Sequence, residues 1–166
     1  LEILNSYNKV NLVPFGEFLP FEKILSLIGL KTITNNYQSY SKGEKRKIIE
    51  VNKIDFSVRL LPLICYEIIF TKFVQKSELN TNLIVNISED GWFGKSIGPH
   101  HTIAHSVFRA IEEGKSIIRS SNNGISAIID PKGKIIKINK STSSGALSEY
   151  GFEKLSEMTV FSTYGR

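Results

Sequence analysis

The chain has a single cysteine, Cys65, among its 166 residues. An internal disulfide is therefore excluded, and cysteine usage says nothing of the redox compartment. Long apolar runs are missing too: stretches such as Ile64–Phe70 and Leu83–Val85 are short, with polar residues interrupting them. A bilayer span takes roughly 20 apolar residues, so no stretch reads as a membrane helix. Leu1–Val10 lacks the charged, apolar and small-residue order of a signal peptide, and the chain as given is expected to be soluble. No phosphate-cradling glycine loop and no cofactor signature is found. His101 and His105 stand four apart, but no glutamate lies between them in an HExxH arrangement and no third ligand is identifiable. They read as a surface helix pair, and no metal site is expected.

What is present is ordinary for a globular protein: 41% hydrophobic and 22% charged residues, with a net charge of +5. Length allows one domain with a substantial core, and no linker divides it, so residues 1–166 are expected to be a single domain or part of one. The basic excess gathers at Lys42, Lys45, Arg46 and Lys47, and again at Lys132, Lys134, Lys137 and Lys140. A solvated loop and a solvated strand face account for them; anionic lipid headgroups are the sharper alternative, at about 1 kcal/mol per basic residue near a surface. Nucleic acid is not an expected partner, because no stacking-aromatic motif accompanies the charge.

Apolar spacing predicts strands at Leu1–Tyr7, Phe56–Ile64, Asn82–Ser88, Ser116–Arg119, Ile125–Asp130, Lys134–Ile138 and Met158–Thr163. It predicts helices at Phe21–Leu30, at Glu67–Leu79, and between Pro99 and Gly114, where Ile103, Ala104, Val107, Phe108 and Ile111 form a stripe. Pro14 and Pro20 bracket an ordered loop, Thr32–Lys47 reads as a long exposed loop, and Asp130–Gly133 (DPKG) supplies a turn. Helices mixed with short strands indicate an α/β or α+β sandwich.

Cys65 ends an apolar run in LPLICYEIIF and is followed by Tyr66 and Glu67. A free cysteine is commonly a packing residue. Between a strand and a helix, however, unpaired N–H groups favour a thiolate and can hold an oxyanion. Both readings stand on position alone. Four segments then occur in order: YNKVNLVPFGEFLPF (Tyr7–Phe21), ICYEIIF (Ile64–Phe70), NISEDGWFGKSIGPHH (Asn86–His101) and FRAIEEGKSIIRSSNNGISAIIDPKGKI (Phe108–Ile135). Together they resemble the carbon–nitrogen hydrolase (nitrilase) superfamily, and within it the periplasmic domain of the apolipoprotein N-acyltransferase branch. The resemblance runs over nearly the whole chain.

It implies an αββα sandwich, here incomplete at the N-terminus, built around a Glu–Lys–Cys triad. Cys65 matches the nucleophile, Lys9 the catalytic lysine and Glu17 an additional functional glutamate. Tyr66, Glu67 and Trp92 match supporting residues. The implied reaction moves a fatty acyl group from a phospholipid donor, through a cysteine thioester, to the N-terminal amine of a diacylglyceryl-apolipoprotein. No cofactor is implied. The implied location of the full-length form is the periplasmic face of a bacterial inner membrane.

The resemblance also implies a glutamate base well upstream of Lys9, which this chain does not show, so it is expected to be a fragment without turnover by itself. Glu89 and Lys95 depart from the residues usual around the WFG segment. Two rivals remain: a soluble nitrilase-type amidohydrolase acting on small C–N substrates, and a noncatalytic remnant or lipid-surface binding module. Trp92–Phe93 is a core plug or an exposed tip; the phenylalanines of PFGEFLPF cover the site or touch acyl chains.

Overall fold

The computed structural model describes residues 3, 5–21, 24, 27, 40–52, 55–70, 80–140, 145–149, 151 and 154–165. The chain divides into two compact units, Leu1–Arg46 and Lys47–Arg166.

The larger unit is one sheet of six strands in sequential order: β1 (Ile49–Asn52), β2 (Ser57–Ile64), β3 (Leu83–Glu89), β4 (Ser116–Asn122), β5 (Ser126–Ile129) and β6 (Ile135–Asn139). β2, β3 and β4 run parallel; the outer pairs are antiparallel. Parallel neighbours need a crossover, and between β3 and β4 it is helix α1 (Gly98–Glu113). Pro99 lies in its first turn, and Gly114, at φ 61°, ends it by donating to the Ala110 carbonyl.

Register decides what faces α1. Leu61, Ile84, Ile117 and Ile129 lie opposite one another across four strands. With Leu63, Ile68, Ile103, Ala110, Ile125 and Ala127 they form the buried core. Each large aliphatic side chain there stabilises the unit by roughly 1.5–3 kcal/mol. Side chains two apart share a face, so the next row is Leu63, Asn86, Arg119 and Ala127. The apolar row thus gives way, toward the C-terminal ends of the parallel strands, to one with Asn86 and Arg119 at its centre.

Most strands lie within a residue or two of their predicted places, and the turn at Asp130–Gly133 closes as expected, with Asp130 Oδ1 accepting from the Lys132 and Lys134 amides. Four expectations need correction or completion. Residues 158–163 do not form a strand: Thr159 caps a short helix, α2 (Val160–Tyr164), by accepting from the Ser162 amide at 3.0 Å. Phe161 of α2 then lies 5.9 Å from the Arg109 guanidinium. The described part of Leu1–Tyr7 is in no strand, and Asn5 Oδ1 takes the Ser6 amide locally. β1 was not foreseen. It has only four residues, alternating apolar and polar, and it pairs with β2, including a Glu50–Arg59 ion pair of 2.8 Å. Directly after Cys65 the chain makes a 3-10 turn, Cys65–Ile69, and Phe70 is extended. A helix running on from Glu67 is therefore broken at Phe70, while residues 71–79 lie outside the described residues. The Phe21–Leu30 expectation lies largely outside them as well.

The smaller unit is mostly turn and irregular chain among its described residues. The Val13 carbonyl accepts the amides of Gly16, Glu17 and Phe18, which folds PFGEF into a compact turn with Phe15 at φ 62°. Among the described residues no helix is long and apolar enough to cross a membrane.

Candidate active site

In the larger unit, Cys65 is the first residue beyond β2 and is half-buried. Its φ is 53°, in the left-handed region. For a residue with a side chain this conformation costs about 1–2 kcal/mol, and it persists only where the surroundings over-determine it. Ligand-binding positions of parallel sheets lie beyond the C-terminal strand ends. Here those ends carry Cys65 after β2, Glu89 at the end of β3 and Asn122 at the end of β4. The thiol points at the Glu89 carbonyl, 3.9 Å away.

The residues after the cysteine divide in role. Glu67 is fully buried, and its carboxylate accepts the Ile64 amide at 2.8 Å, so it braces the backbone entering the turn. Tyr66 is at the surface and packs edge-to-face on Phe70, with ring centroids 6.1 Å apart. The turn has only five residues, so few aligned peptide dipoles stand behind the cysteine.

Beneath the cysteine lies a buried network that sequence reading missed. Asn86 Nδ2 donates to the carbonyls of Leu63 (3.1 Å) and Cys65 (3.3 Å). Asn86 Oδ1 accepts from Arg119, whose Nη2 donates to both Asp90 oxygens at 2.9 and 2.7 Å and to Thr102 Oγ1 at 3.0 Å. Arg119 Nε donates to the Ile125 carbonyl, and Ser88 donates to Asp90. The signal for these residues was available: an asparagine inside NLIVNIS and an arginine inside SIIRSS interrupt buried-strand patterns. A charge in such a position demands a partner. Gly124 makes this packing possible, since a Cβ there would fall 2.2 Å from Asp90 Oδ2.

Two further features lie at the same strand ends. The Glu89 carboxylate accepts from Asn122, the Gly91 amide and Asn123, and these three donors hold its carboxyl below the usual value. Trp92 is 73% exposed in the turn that follows, whereas Phe93 folds back onto Gly98. The tip reading therefore holds for Trp92 and the packing reading for Phe93. His101 is exposed and His105 half-buried on α1, and no group of three potential ligands is placed to hold a metal ion among the described residues.

The smaller unit brings together the two other predicted residues. Lys9 Nζ contacts both Glu17 oxygens, at 2.6 and 2.7 Å. Glu17 Oε2 also accepts the Val13 amide at 2.9 Å, so the turn that bends the chain also aims the carboxylate. Lys9 is buried and Glu17 keeps 21% of its side chain exposed. Gly43 donates to the Lys9 carbonyl and Tyr40 to that of Glu17, which anchors both backbones. Phe15 and Phe21 are exposed and Phe18 is half-buried.

Such an arrangement offers a half-exposed thiol on a strained strand end, and separately a lysine fixed by a carboxylate. Comparison with known proteins adds the following. The carbon–nitrogen hydrolase family model matches residues 2–148, across both units. The apolipoprotein N-acyltransferase of Rickettsia typhi is 40% identical over 162 residues, 98% of this chain and 32% of that protein. The one from Rhodopseudomonas palustris is 40% identical over 134 residues, 81% of this chain and 24% of that protein. The chain thus spans a third or less of the length of these curated relatives. Among solved structures, the glutamine-dependent NAD+ synthetase of Acinetobacter baumannii superposes with TM-score 0.60 at 19% identity, over 87% of this chain and 25% of that one. A nitrilase-superfamily amidase from Nesterenkonia gives TM-score 0.56 at 18% identity, over 93% and 51%. At such identities the structures show the fold alone: an α/β fold of the nitrilase type.

Proposed function

The chain belongs to the carbon–nitrogen hydrolase family, and from that premise we propose that it is the thiol-bearing part of an apolipoprotein N-acyltransferase. The observation that carries the reading is Cys65 itself: a half-buried thiol, left-handed in its backbone, at the C-terminal end of a parallel strand. The relatives named as apolipoprotein N-acyltransferases, at about 40% identity over most of the chain, support the choice of acyl transfer over hydrolysis.

In this reading the Cys65 thiolate attacks an ester carbonyl of a phospholipid, and the tetrahedral oxyanion collapses to a thioester, releasing a lysophospholipid. Lys9, oriented by Glu17, is assigned to counter the oxyanion charge. The α-amine of a diacylglyceryl-cysteine then attacks the thioester, forming the amide and returning the thiolate. The amine proton needs a base. Glu67 is committed to the Ile64 amide and Glu17 to Lys9 and Val13, so the proposal assigns that role to a further carboxylate of the full polypeptide. Phospholipid donor, lipoprotein acceptor and the periplasmic membrane surface all belong to this proposal, as does one domain spanning both units.

Intact-mass measurement after incubation with phospholipid tests it. The expected result is a hydroxylamine-sensitive acyl adduct that is absent in Cys65→Ala. An adduct that persists in Cys65→Ala, or release of ammonia from small amides without any adduct from phospholipid, overturns it.

A further inference from the structure

The buried network ends on the backbone of the cysteine, and its geometry is directional. Asn86 Nδ2 serves the carbonyls on either side of Ile64, while Oδ1 faces the Arg119 guanidinium. Backbone carbonyls only accept and a guanidinium only donates. The amide therefore has one orientation; flipping it would set oxygen against two carbonyls and an NH2 group against a cation. Arg119 is locked in turn by Asp90, Thr102 and the Ile125 carbonyl. Asn86 and Asp90 are fully buried and Arg119 is 1% exposed, so these bonds are shielded from bulk solvent.

From the other side the Glu67 carboxylate takes the Ile64 amide. Leu63, Ile64 and Cys65 are thus gripped at two carbonyls and one amide, immediately where the chain turns to φ 53°. A row of aliphatic side chains would fill this layer without burying a charge, and replacing buried ion pairs so is often neutral or stabilising. The polar row does something an aliphatic one cannot: it holds the Cys65 carbonyl.

We propose that Asn86, backed by Arg119 and Asp90, is a positioning residue that keeps Cys65 in its left-handed conformation and so aims the thiol at the acyl donor. This rests on the reading of Cys65 as acyl carrier.

The test is single-turnover acylation of the purified protein by p-nitrophenyl butyrate. The Cys65 sulfur forms the thioester bond, p-nitrophenolate leaves with the electron pair of the broken ester bond, and intact mass confirms the adduct. Asn86→Asp keeps an oxygen for Arg119 and removes both N–H donations. The expected result is an acylation rate at saturating ester about 10- to 100-fold lower, with the half-saturating ester concentration little changed. Ile117→Val, which thins the neighbouring apolar row without touching the network, should leave the rate unaltered in the folded protein. Should Asn86→Asp not fold, Thr102→Val, which removes a hydroxyl bonded to Arg119, should slow acylation by roughly two- to fivefold. Acylation of Asn86→Asp at the wild-type rate, or equal slowing in Ile117→Val, sinks the positioning role alone. No acylation of Cys65 in the wild type sinks the acyl-carrier reading and the positioning role with it.

Discussion

Two cation–carboxylate pairs, one in each unit, show how differently the same chemistry can be used. Lys9 and Glu17 are eight residues apart, in a unit made largely of turns, and the carboxylate keeps 21% of its side chain in solvent. Arg119, midway along β4, and Asp90, just beyond the end of β3, are 29 residues apart, and neither side chain is exposed. The lysine is a single rotatable charge on a flexible stem, whereas the guanidinium is a rigid fork with each nitrogen engaged. The first pair keeps its carboxylate partly in solvent. The second can only hold. The pair proposed for chemistry thus keeps a carboxylate in contact with solvent, and the scaffolding pair does not.

The largest expected effect breaks the second pair. Arg119→Ala leaves Asp90 buried without its cation and should cost about 3–5 kcal/mol in urea unfolding. Lys9→Ala should cost less, about 1.5–3 kcal/mol, because Val13 and solvent still serve Glu17. Faster hydrogen exchange at the Val13 amide would report the loss locally. If Lys9→Ala proves as damaging as Arg119→Ala, the distinction between the pairs fails. Smaller still, Thr159→Ala removes the cap of α2 and should cost about 1 kcal/mol, seen as faster exchange at the Ser162 amide while Val13 is unaffected.

The smallest effect is one of pH. Burial, then Arg109 and His101, hold His105 below its ordinary value of 6.5. The unfolded chain therefore binds a proton first, and stability of the larger unit should fall as pH drops below the unfolded value, levelling off beneath the folded one. Urea midpoints in that range should decline in the wild type and flatten in His105→Gln. The three histidines are His100, His101 and His105, so the protection of the Val13 amide in the smaller unit, corrected for the intrinsic pH dependence of exchange, should show no such slope.

Periodicity made much of the larger unit legible. Asn82–Ser88 and Phe56–Ile64 alternate or run apolar because their positions are buried by register, and α1 shows its stripe for the same reason. β1 escaped because four residues are too short a run for their alternation to stand out beside the charged stretch before them. Residues 158–163 misled for a related reason: β-branched Thr159 and Val160 favour a strand in isolation. The Thr159 cap and the position of Phe161 beside Arg109 override that.

Among the candidate residues, the types and order that carry the family resemblance were readable without coordinates: Lys9, Glu17 and Cys65 each stand in a recognisable local motif. Even the pairing of Lys9 with Glu17 is nearly local, since eight residues of turn close it. What sequence alone could not decide is the backbone conformation of Cys65 and the network that imposes it. Asn86, Asp90 and Arg119 meet only because parallel register lays β3 beside β4, and a hydrogen bond between residues 33 apart leaves no periodic trace in the chain. Local propensity writes itself into neighbouring residues; long-range burial of a charge exists only once the sheet has formed around it.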